Sequence, residues 1–220
     1  MPDTSVRHLN LWKKNLGRVP DDVWQRTDLE TLVLADNDLT QVSGKIGTLK
    51  KLRMLDLGHN RLASLPEALS DLDGLRDFLY LHDNQLSELP ASLARLTALR
   101  YLNISENRFT KLPEAICGMA GLIELRASDN QMDSLPDSIA RLEKLRELHL
   151  RNNRLTTLPD AVGQLRELRQ IDLRGNPIAE LPAAIAELPR LEKLDLRWVE
   201  LGEDPEWFGL LEARGCAVYR

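Results

Sequence analysis

The sequence is poor in cysteine, in aromatic residues and in uninterrupted apolar stretches, and each shortage removes a class of protein. Cysteine occurs only at Cys117 and Cys216, far from the close spacing of a metal or redox motif. A disulfide-held secreted fold is therefore not expected, and a reducing, cytoplasmic setting is. No apolar run nears the roughly 20 residues that span a bilayer, so no membrane association is expected. The start, Met1-Pro-Asp-Thr-Ser-Val-Arg7, lacks the apolar segment of a signal peptide, although secretion by another route stays open. Basic residues do not dominate either, and the formal net charge is −5. Neutralising phosphates needs a basic face, so nucleic acid is not an expected partner. There is no nucleophile elbow, P-loop or glycine-rich phosphate turn. The four histidines are His8, His59, His82 and His149. His59 and His82 fall on adjacent predicted strands but in different columns, with no third ligand close by, which argues against zinc. The expectation is therefore no enzyme, no cofactor and no metal.

What the chain has in abundance is leucine at fixed spacing. Leu52 to Leu72 reads LRMLDLGHNRLASLPEALSDL and Leu145 to Leu165 reads LRELHLRNNRLTTLPDAVGQL. Both fit LxxLxLxxNxLxxLPxxIxxL with a period of 23, and units begin at Leu29, Leu52, Leu75, Leu99, Leu122, Leu145, Leu168 and Leu191. A degenerate first unit carries Leu9, Leu11 and Leu16. The predicted fold is α/β, a right-handed solenoid with a curved parallel sheet of about nine strands inside and short helical turns outside. We divide it into a capping unit over 1–28, eight repeats over 29–201, and a cap helix with a short strand over 202–220.

Each motif position has a physical task. The two leucines of LxL point to one side of a strand and need the neighbouring coil to bury them. The column Asn37, Asn60, Asn84, Asn107, Asn130, Asn153 and Asn176 is expected to satisfy backbone groups that leave the sheet ladder. The Leu-Pro step suits the first turn of a short 3₁₀ or α segment, and Glu67, Glu114, Asp137 and Asp160 follow where such a segment favours negative charge. Between Leu75 and Leu99 there is one residue too many, which predicts a bulge just ahead of that strand. At the C-terminus, Asp204 as N-cap, Pro205 at the first position and Gly215 at the stop predict a helix. Trp207, Phe208, Leu210 and Leu211 of that helix are expected to cover the end of the core.

These motifs are specific: the chain resembles the 23-residue Leu-Pro type of leucine-rich-repeat protein from Leu9 to Leu201. Similar repeats occur in intracellular Ras-linked scaffold proteins, in their plant relatives and in bacterial proteins, secreted effectors among them. The resemblance implies a parallel sheet whose concave face binds a protein or peptide, and it does not imply which one. A scaffold, an exported effector or adaptor acting on a host protein, and a self-associating structural protein all remain open, with a monomer expected for the first.

Function must then lie between the consensus positions, in three columns of concave side chains. Met54, Phe78, Tyr80, His82 and Tyr101 gather on three adjacent strands, and aromatic residues make up only 5% of the chain. They are expected to form one patch able to anchor a partner, or simply to pack on one another. Arg151, Arg174 and Arg197 form a ladder, with Arg126 and His149 one column away. Glu124, Glu147, Asp172 and Asp195 are interleaved with them. The ladder is either a self-neutralising lattice or a site for the acidic flank of a partner, since arginine forks match carboxylates.

Overall fold

A computed structural model describes residues 7–220, so residues 1–6 of the capping unit and of the N-terminal reading lie outside it. Within it, ten strands form one sheet in which chain order is also spatial order. They are β1 (His8–Asn10), β2 (Thr31–Val33), β3 (Met54–Asp56), β4 (Phe78–Tyr80), β5 (Tyr101–Asn103), β6 (Glu124–Arg126), β7 (Glu147–His149), β8 (Gln170–Asp172), β9 (Lys193–Asp195) and β10 (Ala217–Tyr219). Every pairing is parallel, and the first and last strands do not meet. Nine strands come from the repeat units, as the leucine spacing requires, and the cap supplies the tenth.

The leucines explain why a three-residue strand persists. In each repeat the central strand residue points inward and its neighbours outward. Leu32, Leu55, Leu79, Leu102, Leu125, Leu148, Ile171 and Leu194 are all fully or almost fully buried. One continuous core runs from Val19 to Cys216. Burying each such side chain contributes about 2 kcal/mol, and no single unit could bury its own. Both cysteines sit in this core as free thiols, and burial pushes their pKa up.

The asparagine column behaves as a second spine. Asn130 Oδ1 accepts from the Phe109 amide at 3.1 Å, and its Nδ2 donates to Ile104 O at 3.0 Å and Ser128 O at 3.1 Å. Each asparagine thus ties its own coil to the preceding one, and the pattern recurs from Asn37 to Asn176. The residue just before each asparagine is in the left-handed region: Asp36, His59, Asp83, Glu106, Asp129 and Asn152 have φ between 49° and 57°. Gly175, with φ 66°, completes that column. This conformation turns the chain out of the strand and re-aims the side chain carried there.

The return segments are 3₁₀ turns, such as Glu67–Asp71, Ala91–Arg95, Asp137–Arg141 and Asp160–Gln164, with one α turn at α1 (Glu114–Cys117). The prolines stand one place earlier than the sequence suggests. Pro66, Pro136 and Pro159 have ψ of 143°, 153° and 148°, so they end the extended approach as N-caps rather than open the helix. A fixed φ near −65° suits both states. Glu67, Glu114, Asp137 and Asp160 do fall in the first turn.

The extra residue is absorbed where expected. The register Met54↔Phe78 leaves Arg76 and Asp77 facing Arg53, and both amides turn to the Arg53 carbonyl, at 3.4 and 3.0 Å. An ion pair from Arg53 to Asp77 at 2.9 Å spans the bulge.

The cap helix needs two corrections. It is α2 (Phe208–Ala213), with Trp207 rather than Asp204 before it, because the Asp204 carboxylate is held by Arg220 at 2.6 Å instead of capping. Phe208 and Leu211 cover the core, but Leu210 points outward and is 63% exposed. Trp207 is only partly buried against the core. Gly215, φ 87°, does mark the stop.

Candidate functional site

The three concave columns fall into register as the 23-residue spacing demands. Met54, Phe78, Tyr101, Glu124, Glu147, Gln170 and Lys193 are successive partners, as are Asp56, Tyr80, Asn103, Arg126, His149, Asp172 and Asp195. The candidate residues therefore share one surface, and it divides into two halves.

The first half is aromatic. Phe78 and Tyr80 stack at 5.9 Å between ring centroids, Phe78 and Tyr101 lie 5.4 Å apart, and Tyr80 and Tyr101 5.1 Å. These separations are those at which aromatic rings attract. Met54 continues the row beside Phe78 and is half-buried, whereas Phe78 remains 42% exposed. Beside Phe78 and Tyr101 is a hollow of about 260 Å³, floored by Ile123 and edged by Asp77, Arg100 and Glu124. Burial pushes the Tyr101 phenol up to about 12 and, with Asp56 nearby, raises that of Tyr80 as well. Both phenols are thus neutral at ordinary pH and can donate or accept a hydrogen bond.

The second half is charged, and most of its charges are already matched. Arg174 makes a two-pronged contact to Asp172, at 2.8 and 2.6 Å, and Arg197 does the same to Asp195, at 2.9 and 2.8 Å. Asp195 is completely buried and also receives Lys193 at 3.3 Å and Arg174 at 3.7 Å. Burial alone would raise its pKa, but the bonds from Arg197 and Lys193 outweigh that and hold it below the usual carboxylate value. Arg126 is bound to Glu124 at 2.6 Å and lies 6.0 Å from the Tyr101 ring, so it joins the two halves. His149 contacts Glu147 at 3.2 Å and Glu124 at 3.8 Å. Only Arg151, among the described arginines of the ladder, has no carboxylate within ion-pair distance. It borders a groove of about 410 Å³ shared with Arg126, Ser128, His149 and Arg174.

The structure also brings together what the columns kept apart. His59 is in the left-handed column, so its ring swings sideways, and its Nε2 comes to 3.2 Å from His82 Nε2. Its Nδ1 meets Asp83 at 2.7 Å. Gly58 is what makes room, since a Cβ there would lie 2.4 Å from the His82 ring. Glu124, Glu147 and His149 make a second group, their ligand atoms within 4.8 Å of one another. Neither group was assembled from the sequence. The signals were present in His59 at a left-handed position, in the small residue beneath His82, and in residues two apart on one strand face.

Comparison with known proteins agrees with this architecture. A family described as leucine rich repeat matches residues 4–62, 27–86, 77–132, 125–178 and 143–199. Among solved structures, a leucine-rich-repeat protein of Leptospira interrogans is 26% identical over 98% of this chain and 66% of its own, with a TM-score of 0.77. The plant peptide hormone receptor RGFR1, solved in complex with RGF2, is 31% identical over 90% of this chain and 32% of its own, with a TM-score of 0.77. The ectodomain of the receptor kinase GASSHO1/SCHENGEN3 from Arabidopsis thaliana, in complex with CASPARIAN STRIP INTEGRITY FACTOR 2, is 31% identical over 87% and 27%, with a TM-score of 0.66. This chain therefore spans at most two thirds of the length of these proteins. No helix among the described residues is long and apolar enough to cross a membrane.

Proposed function

The chain belongs to the leucine-rich-repeat family, and we propose that it is a protein-binding module without catalytic activity that takes an extended peptide segment on its concave face. Domains of this family typically mediate protein–protein contacts, and two of the similar structures are receptors solved as complexes, one of them a peptide hormone receptor. The observation that carries the reading is the cluster of Phe78, Tyr80 and Tyr101 on neighbouring strands, exposed at Phe78 and bordered by a hollow the size of a side chain. Rings with polar tips, fixed by packing on one another, bind at little cost in side-chain entropy. Apolar side chains of the partner would occupy this patch. A carboxylate further along would reach Arg151, the cation of the ladder with no partner of its own, assisted by the outer donors of Arg126 and Arg174. The charge lattice supports specificity more than affinity, because its internal pairs are already formed.

The test is selection of peptides from a random displayed library, followed by titration against the Tyr80→Ala/Tyr101→Ala double variant. Selected sequences should carry aromatic or branched apolar residues with Asp or Glu to one side, and the double variant should bind them at least about 100-fold more weakly. The variant should stay folded, losing about 1–2 kcal/mol of stability from ring contacts. Peptides that bind the double variant as well as the parent would overturn the reading, and so would a sedimentation profile showing the patch covered by self-association.

A further inference from the structure

We infer that His59 and His82 form a binding site for a divalent transition-metal ion, held by their two Nε2 atoms across adjacent repeats and oriented by Asp83. The Nε2 atoms are 3.2 Å apart. Two imidazoles on one tetrahedral ion, with metal–nitrogen bonds of about 2.0–2.1 Å, would have their nitrogens about 3.3 Å apart. The ring centroids are 4.6 Å apart with the planes at 81°. A tetrahedral ion would set the centroids about 5.2 Å apart and a straight N–H···N hydrogen bond about 5.5 Å, so the rings open by about 0.6 Å to admit the ion.

The groups around the two rings point the same way. His59 Nδ1 donates to the Asp83 carboxylate at 2.7 Å, which leaves Nε2 as the ring nitrogen that faces His82. This is the carboxylate–histidine arrangement that fixes a ligating ring. Three carboxylates, those of Asp56, Glu106 and Asp83, lie around His82. Their negative charge favours a cation between the rings. His82 Nδ1 is buried without a hydrogen-bond partner, so His59 alone of the two rings has an acceptor behind it, in Asp83. The chain also builds the site locally. The left-handed turn at His59 aims its ring at the next repeat, and only glycine at 58 clears space for His82.

Two imidazole nitrogens favour Cu²⁺, Ni²⁺ and Zn²⁺ over Ca²⁺ and Mg²⁺, with Cu²⁺ held most tightly. Water completes the coordination sphere. The other candidate, Glu124 with Glu147 and His149, is weaker because the Arg126 guanidinium sits 2.6 Å from Glu124 and takes the place of a cation. Tyr80 is 6.1 Å from His82, so a bound ion would stiffen the edge of the aromatic patch.

The experiment is calorimetric titration of the whole chain with Cu²⁺, Ni²⁺ and Zn²⁺ at neutral pH, together with nitrogen hyperfine structure in the Cu²⁺ spin-resonance spectrum. We expect one ion per chain and coupling to two nitrogens. His82→Ala and His59→Ala should each lose the coupling and weaken binding by more than about tenfold, and Asp83→Asn should weaken it by about 10–100-fold. His8→Ala and His149→Ala should change nothing. If His82→Ala fails to fold, His82→Gln serves in its place, with the ion-free melting curve as the check. No binding of any of the three ions, binding unaffected by the His82 variants, or binding lost only in His149→Ala would each overturn the assignment.

Discussion

The aromatic and charged halves of the concave face are built on the same repeat, in the same columns and at the same depth, yet they differ in what they leave unsatisfied. From β3 to β5 three of the six outward residues are rings, which contact one another and still expose apolar surface. From β6 to β9 the outward residues other than Gln170 are acidic, basic or histidine, and nearly all of these have partners inside the face. An exposed ring cluster gains by meeting another apolar surface. A neutralised lattice gains little, because a new partner must first displace an existing one. The difference teaches that a row of arginines in a sequence is a weak sign of a binding site until its carboxylates are counted.

Three substitutions, one of them also followed through pH, break or sharpen that contrast. The largest effect comes from the scaffold both halves share. Asn130→Leu would orphan the buried Phe109 amide and remove the Nδ2 bonds to Ile104 O and Ser128 O, which keep Asn107 Nδ2 and the Glu106 amide as donors, costing about 3 kcal/mol or more. Thermal melting should fall by roughly 6–12 °C, and a normal midpoint would mean that the asparagine spine is not what joins the coils. Next, Asp195→Asn removes the buried charge that Lys193, Arg174 and Arg197 share. A loss of about 2 kcal/mol in denaturant unfolding is expected, below the full figure for a buried pair because the cations are partly exposed. Peptide binding at the aromatic half should hardly change.

The same carboxylate gives a pH signature. Its pKa in the folded protein lies below the unfolded value of 3.8, so its contribution is complete above that value and disappears as pH falls through the folded one. The stability difference between the parent and Asp195→Asn should therefore be constant near neutrality and close up below about pH 4. A gap that persists to pH 2 would mean that the interaction is not ionic. The smallest effect belongs to Arg151→Ala, which breaks no internal pair. Stability should stay within about 0.5 kcal/mol, while peptides with an acidic flank should bind a few-fold more weakly and less dependently on salt.

Much of this was legible in the sequence, for identifiable reasons. A side-chain period of two and a repeat of 23 leave no freedom in register, so Met54, Phe78 and Tyr101 had to be neighbours, and the surplus residue at Arg76–Asp77 had to be a bulge. What escaped depends on side-chain torsions and backbone direction. That Arg174 turns onto Asp172 and Arg197 onto Asp195 follows from residues two apart sharing a strand face, a rule that was available but pointed equally to cross-strand partners. His59 was placed by column and not by conformation, and the left-handed turn moved its ring toward His82. The start of α2 was displaced because Arg220, sixteen residues away, took the carboxylate that local sequence assigned to capping.

The most direct test is a crystal structure of the chain with a peptide selected on it. The account predicts the peptide lying across β3 to β7 with an apolar side chain against Phe78 and Tyr101 and a carboxylate facing Arg151. A peptide seated on the outer 3₁₀ turns, with those strands untouched, would contradict it.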